Sequence, residues 1–220
     1  KVYAYDCSFG NAVFNNTIWT LQECVISGDV TSNSSDTKVL RCTINGSLSH
    51  NTTGTHTCTV FQSTIADDLT TVAKRSWIGY NKLKRISISG GAEEAEVVGN
   101  TILPGGGKGV QVNAASLVAT VRNNLIANCS EGLYVNAGTK VSVHNNMFTG
   151  YSDGIEVLEA AGEIEVIGNV FSDSSTAVKA PFEAGGCYYN YIVGPSSLSS
   201  AFVGGVVESN NYLGNYGGSS

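Results

Sequence analysis

The chain is short of charge, of proline and of the residues that build long helices. Only 14% of its 220 residues are Asp, Glu, Lys or Arg, and it holds three prolines, one methionine and two tryptophans. Scarce Lys, Met and Gln beside abundant Gly, Ser, Thr and Asn point away from helix and toward short strands and turns. Basic residues are outnumbered 12 to 18 by acidic ones, for a net charge of −6. An acidic chain gains nothing electrostatically from nucleic acid, so no such partner is expected. No run of 18 or more apolar residues occurs, so no membrane span is expected. The chain opens at Lys1 without a charged-then-apolar leader, and any signal peptide is expected to have been removed or never included. Histidine is sparse too: His50, His56 and His144 are scattered and no CxxC pair exists. Neither a metal site nor a cofactor is expected from that pattern. Five N-x-S/T sequons, at Asn15, Asn33, Asn45, Asn51 and Asn128, are about as many as chance places, and carry no weight. The polar, Lys-poor composition itself points to an extracellular, cell-surface or virion-surface setting.

What the chain does have is a repeat. "VRNNLI" at 121–126 returns as "VHNNMF" at 143–148 and as "VIGNVF" at 166–171. The template apolar–x–x–Asn–x–apolar fits at Asn81, Asn100, Asn124, Asn146, Asn169, Asn190 and Asn210. Allowing a thiol or hydroxyl at the anchor adds Cys7, Cys24, Cys42 and Ser63, at intervals of 17 to 24 residues. A second repeat lies about eight residues beyond the anchor, as "GVQV", "GLYV", "GIEV" and "AVKA", and a third just before it, as "LVATV", "KVSVH" and "EIEVI". Each run alternates apolar and polar, the signature of a strand with one buried face. Three short strands per unit of roughly 20 residues predict one coil of a right-handed parallel β-helix. The expected architecture is all-β: a single solenoid domain over 1–220 of about eleven coils, a rod on the order of 50 Å long. The anchor then has a physical role. Asn tolerates left-handed backbone angles at a sharp corner, and its amide can bond the amide one coil above, forming a ladder. Cys7, Cys24 and Cys42 fill the same inward slot as compact apolar groups.

On these "VxNNxI…GIxV" units, the chain resembles the pectate-lyase-like superfamily of right-handed parallel β-helices, over about residues 4–213. The resemblance implies the fold. It leaves function open, since that superfamily includes lyases, hydrolases, epimerases, tailspikes, adhesins and non-catalytic surface proteins. Polygalacturonase-like members carry Asn-Thr-Asp, Asp-Asp, Gly-His-Gly and Arg-Ile-Lys on neighbouring coils, and only Asp67-Asp68 occurs here. Pectate lyases need clustered Asp for calcium and an Arg base, whereas beyond residue 68 the only Asp are Asp153 and Asp173. The epimerase signature "YGFDPH" is absent. No catalytic residues are assigned.

Two rows of side chains are candidates for binding. Gln111, Tyr134, Glu156 and Lys179 occupy the outward centre of successive "GxxV" strands, and an aromatic beside carboxylate, amine and amide suits a glycan-binding strip. The plainer reading is a solvated face with a Glu–Lys pair. Arg122, His144 and Glu165 form the other row, with Lys140 and Glu163 further back, and a base beside a carboxylate is what proton abstraction next to a uronate requires. Charges meet across coils on any such rod, so a solvated row is again the plainer reading. "GGGKG" at 105–109 lacks the spacing of a phosphate loop and runs into a strand, so it is a turn. Parallel stacking aims the Cβ atoms of Cys7, Cys24 and Cys42 alike, so free thiols are expected over bridges. Cys187 sits in an apolar slot, and Cys58 and Cys129 fall in expected turns.

Neither end offers an amphipathic helix as a cap, so the chain is expected to be a fragment or to be covered by another copy of itself. Head-to-tail stacking does not close and gives a filament, with lateral trimers as the rival geometry. The function expected from sequence is therefore an extracellular structural or adhesive rod whose partner is itself. The alternatives are a polysaccharide lyase or hydrolase, or a non-catalytic glycan-binding module.

Overall fold

The computed structural model describes residues 1–15, 18–33, 36–158, 161–180, 186–193, 201–204 and 207–214. Strands stack in three ladders, and every pairing between described strands is parallel. The first ladder begins with Val2–Tyr5 on Trp19–Gln22 and continues through Asp36–Leu40, Thr57–Phe61, Arg75–Gly79 and Glu94–Val98 up to Val207–Ser209. The second holds the short strands after the anchors, from Ser8–Phe9 to Tyr212–Gly214. The third runs from Ala12–Asn15 to Phe202–Gly204. The solenoid makes about nine turns, slightly fewer than the eleven coils expected, and beyond Ala180 the residues are described only in part. The third strand of the first coil is Ala12–Asn15, paired with Val30–Asn33, so the further template match "VFNNTI" at 13–18 begins in a third-ladder strand, and its Asn16 lies outside the described residues. Among the described residues no helix is long and apolar enough to cross a membrane.

Alternation explains the core. In the first ladder Val39, Val60, Ile78, Val97, Val121, Val143 and Val166 lie over one another, each 0% exposed. Burying each such side chain is worth about 1.5–3 kcal/mol, and the column repeats that gain at every coil. In the second ladder Phe148 and Phe171 stack with centroids 5.0 Å apart and ring planes 5° from parallel.

The buried corner carries the side-chain ladder. Asn81 Nδ2 donates to Asn100 Oδ1 at 3.0 Å, and the same bond recurs from Asn100 to Asn124 (3.0 Å), Asn124 to Asn146 (2.9 Å), Asn146 to Asn169 (3.0 Å) and Asn169 to Asn190 (3.1 Å). Each acceptor oxygen also takes a backbone N–H from the anchor one coil below, as Asn81 N does to Asn100 Oδ1 at 2.9 Å. Below Asn81 the amides give way to smaller groups. Ser63 N donates to Asn81 Oδ1 (2.9 Å), Cys42 N donates to Ser63 Oγ (3.1 Å), and the Cys42, Cys24 and Cys7 thiols turn to the carbonyls of Leu40, Gln22 and Tyr5. All six cysteines are free thiols. Cys58 and Cys129 lie in strands and not in turns: Cys58 is buried in Thr57–Phe61 and Cys129 in Leu125–His144. Burial pushes the Cys58 thiol up to about 12 and the Cys129 thiol up to about 11.

Two corrections belong to this corner. The left-handed backbone angle is carried by the residue before each anchor: Asp6, Glu23, Arg41, Gln62, Tyr80, Asn123, Asn145, Tyr189 and Asn210 have φ between 50° and 57°. Corner and ladder are thus adjacent positions. Asn210 is therefore not a rung. It is exposed with φ 55°, while Asn211 accepts from Asn190 Nδ2 at 2.9 Å and donates to Cys187 O. The register shows why: Tyr191 aligns with Tyr212 and Ile192 with Leu213, which moves the last unit one residue beyond the template.

The glycine opening "GVQV", "GLYV" and "GIEV" has a steric cause. A Cβ on Gly109, Gly132 or Gly154 would lie 2.7, 2.6 or 2.6 Å from the carbonyl oxygen of Gly132, Gly154 or Ala177 in the next coil. The coils approach too closely there for any side chain.

Candidate functional site: a groove on the third ladder

Because Val110, Val112, Leu133, Val135, Ile155 and Val157 turn inward, the residues between them turn outward. Gln111, Tyr134, Glu156 and Lys179 lie in strict register, with Ser87 below them. Lys179 Nζ donates to Glu156 Oε1 at 2.8 Å, and Asp153 lies 4.0 Å away. The hydrogen bond and charge of Glu156 push the Lys179 ammonium above its ordinary range. Tyr134 is not an open platform, because Lys108 Nζ sits 3.1 Å from its ring centroid and covers that face.

A second outward row, three residues earlier in the upper coils, joins the first. Lys108 aligns with Glu131, Glu131 with Asp153, and Asp153 with Thr176, while Arg85, one coil below Lys108, aligns with Asp68 one coil lower still. Arg85 grips Asp68 with two bonds, Nε to Oδ1 at 2.9 Å and a second to Oδ2 at 2.5 Å, and this partner raises its guanidinium pKa. Between the rows opens a groove of about 510 Å³, floored by Thr70, Ser87 and Gln111 and walled by Lys108, Ser130 and Glu131. Its carboxylates are engaged: Asp68 with Arg85, and Glu131 with the Ser130 hydroxyl at 2.6 Å.

The row of Arg122, His144 and Glu165 divides. Arg122 and His144 are in register, but Arg122 bonds down to Glu96, while His144 Nε2 lies 3.5 Å from Glu165 above it. Lys140 reaches Glu163 at 3.5 Å. These are separate contacts along a face and not one constellation, because each acid sits one coil from a different base. Sequence reading missed Asp68, Arg85, Lys108 and Glu131 as neighbours. The two opposite-charge pairs that meet there, Asp68 with Arg85 and Lys108 with Glu131, become visible only once the exact phase of the third ladder is known.

Three parallel ladders around an inward amide column, with polar grooves on the outer faces, define a parallel β-helix protein. A family described as NosD, periplasmic copper-binding protein, matches residues 5–218, and the chain belongs to that family. Its description as periplasmic makes the chain an exported β-helix protein. No curated protein matches the chain, and no solved structure does.

Proposed function

We propose that this exported β-helix is a non-catalytic module that holds an extended, uncharged polysaccharide along its third ladder. The observation that carries this reading is the groove itself. Hydroxyls of Thr70, Ser87 and Ser130 and the Gln111 amide line it together with two acids, Asp68 and Glu131, and two bases, Arg85 and Lys108, whose charges sum to zero. Such a surface offers a polyol many hydrogen bonds and offers a polyanion no net attraction. Hydrolysis or elimination calls for a carboxylate or base free to exchange a proton with substrate. Here Asp68, Glu131 and Glu156 already have partners.

Copper, which the family's description names, finds no support in the arrangement of side chains. Among the described residues no three His, Cys, Asp or Glu side chains lie close enough to hold a metal ion, and burial raises the Cys42, Cys58 and Cys129 thiols, which opposes thiolate ligation.

The test is native affinity electrophoresis in gels containing hydroxyethyl cellulose, galactomannan, polygalacturonate or alginate. A neutral polymer is expected to retard the chain, the Lys108→Ala/Gln111→Ala variant to lose most of that retardation, and no reducing ends or unsaturated products to appear. Cleavage, retardation by the polyanions alone, or an unchanged double variant would overturn the reading.

A second reading, end-to-end assembly, has its own support. Ala4, Phe9 and Phe14 at one end and Leu213 at the other are apolar, turned to the core, and only partly buried. Another coil would cover them, whether from a second copy or from further chain. Growth in sedimentation coefficient with concentration, abolished by Phe9→Asp, is the expected result for copies. A constant value across the series excludes self-assembly.

A further inference from the structure

A different face of the rod carries a second arrangement. Trp19 is fully buried, but Trp77 on the first ladder is 42% exposed. An exposed indole that belongs to an aromatic cluster beside a groove is a candidate binding surface. Phe61 stacks beside Trp77 with centroids 5.0 Å apart, and Tyr80, 56% exposed, meets Phe61 edge-on at 5.3 Å. The rings rest where the chain has no side chain. A Cβ on Gly79 would lie 3.1 Å from the Phe61 ring, and one on Gly99 2.7 Å from the Tyr80 ring. Both rings are therefore seated before any ligand arrives, which reduces the ordering entropy that binding must overcome. Beside Trp77 lies a groove of about 470 Å³ whose lining includes Thr59, Thr120, Glu94 and Glu96. Glu94 pairs with Arg75 at 3.3 Å and Glu96 is held by Arg122.

We propose that Trp77 is the stacking platform of a binding site for a neutral pyranose chain. The indole takes the apolar face of one sugar ring, and the Thr59 and Thr120 hydroxyls with the Glu94 carboxylate take its hydroxyl groups. An indole face matches the C–H face of a pyranose, and carboxylates accept bonds from sugar hydroxyls, while their pairing with Arg75 and Arg122 leaves a uronate no net attraction. The site stands on another ladder from the groove floored by Gln111 and does not depend on it.

The test uses tryptophan fluorescence. With Trp19 buried, a ligand-induced change in emission reports on Trp77. Cellohexaose, mannohexaose, xylohexaose and a trigalacturonate control are titrated into the wild-type chain. At least one neutral hexaose is expected to change the emission saturably, and the trigalacturonate to leave it unchanged. By calorimetry Trp77→Ala is expected to weaken that binding about tenfold or more, and Trp77→Phe only about threefold. Thr120→Ala, which leaves the aromatic group intact, is expected to weaken it as well. The Lys108→Ala/Gln111→Ala variant is expected to bind at Trp77 as the wild type does, which separates this site from the groove. No response to any neutral hexaose, or wild-type affinity in Trp77→Ala, overturns the proposal.

Discussion

Replacing Asn124 by Ala is expected to lower the thermal unfolding midpoint by about 10 °C. Asn124 lies at the centre of the ladder and is 2% exposed. Its Nδ2 donates to Asn146 Oδ1 and Val97 O, both at 2.9 Å, and its Oδ1 accepts from Asn100 N at 2.8 Å and Asn100 Nδ2 at 3.0 Å. Alanine leaves Val97 O and two Asn100 donors buried without those partners. A stranded buried group costs about 1–3 kcal/mol, so the sum is roughly 3–5 kcal/mol. For a chain of this size each kcal/mol moves the midpoint by about 2–4 °C. Scanning calorimetry measures the shift. Asn210→Ala serves as the control, since Asn210 is exposed at the corner and contributes no rung; its change is expected within about 1 kcal/mol. Equal losses at the two positions would contradict the role given to the ladder.

Gly154→Ala is expected to destabilise the rod by a similar amount through steric conflict. The new Cβ would lie 2.6 Å from the Ala177 carbonyl oxygen and 2.7 Å from the Phe171 ring. Neither neighbour is a flexible side-chain tip. The coils must part, which weakens the parallel bonds around Ile155 and Glu156 and unseats the Phe148–Phe171 stack. Overpacking of this kind typically costs about 1–3 kcal/mol, and the strained ladder adds to it. Gly105→Ala is the comparison: its Cβ would meet nothing within 4 Å, and only its φ of 68° opposes the change. Urea unfolding of both variants is expected to show the larger loss at Gly154. A neutral Gly154→Ala would mean that the coils there are looser than described.

The repeat was legible because one physical requirement recurs at every coil. An inward polar slot at a bend must be satisfied by its copy one turn away, so Asn returns at Asn81, Asn100, Asn124, Asn146, Asn169 and Asn190. The left-handed corner was less legible because it tolerates many side chains: Asp6, Arg41, Gln62 and Tyr80 share no chemistry, only a φ near 50° to 57°. The template selects Asn210 and not Asn211 because Val207 and Tyr212 fill its apolar slots, whereas Asn211 would set Glu208 in one of them. The strip of Gln111, Tyr134, Glu156 and Lys179 was readable from alternation alone. Its occupation by Lys108 was not, since that contact joins residues from different coils in different rows. The groove and the Trp77 corner depend on outward side chains, and these are free to vary without disturbing the inward pattern that makes the fold readable.

Stability in this rod is local and repetitive, whereas the binding proposed for it rests on a few outward positions. Hydrogen exchange with and without the neutral polysaccharide that retards the chain measures that division directly. The expected result is slowed exchange at 85–87, 108–111 and 130–134, the segments around the groove, with the buried Asn ladder unchanged. Protection spread evenly over the rod, or absent from those three segments, would contradict a polysaccharide site on the third ladder.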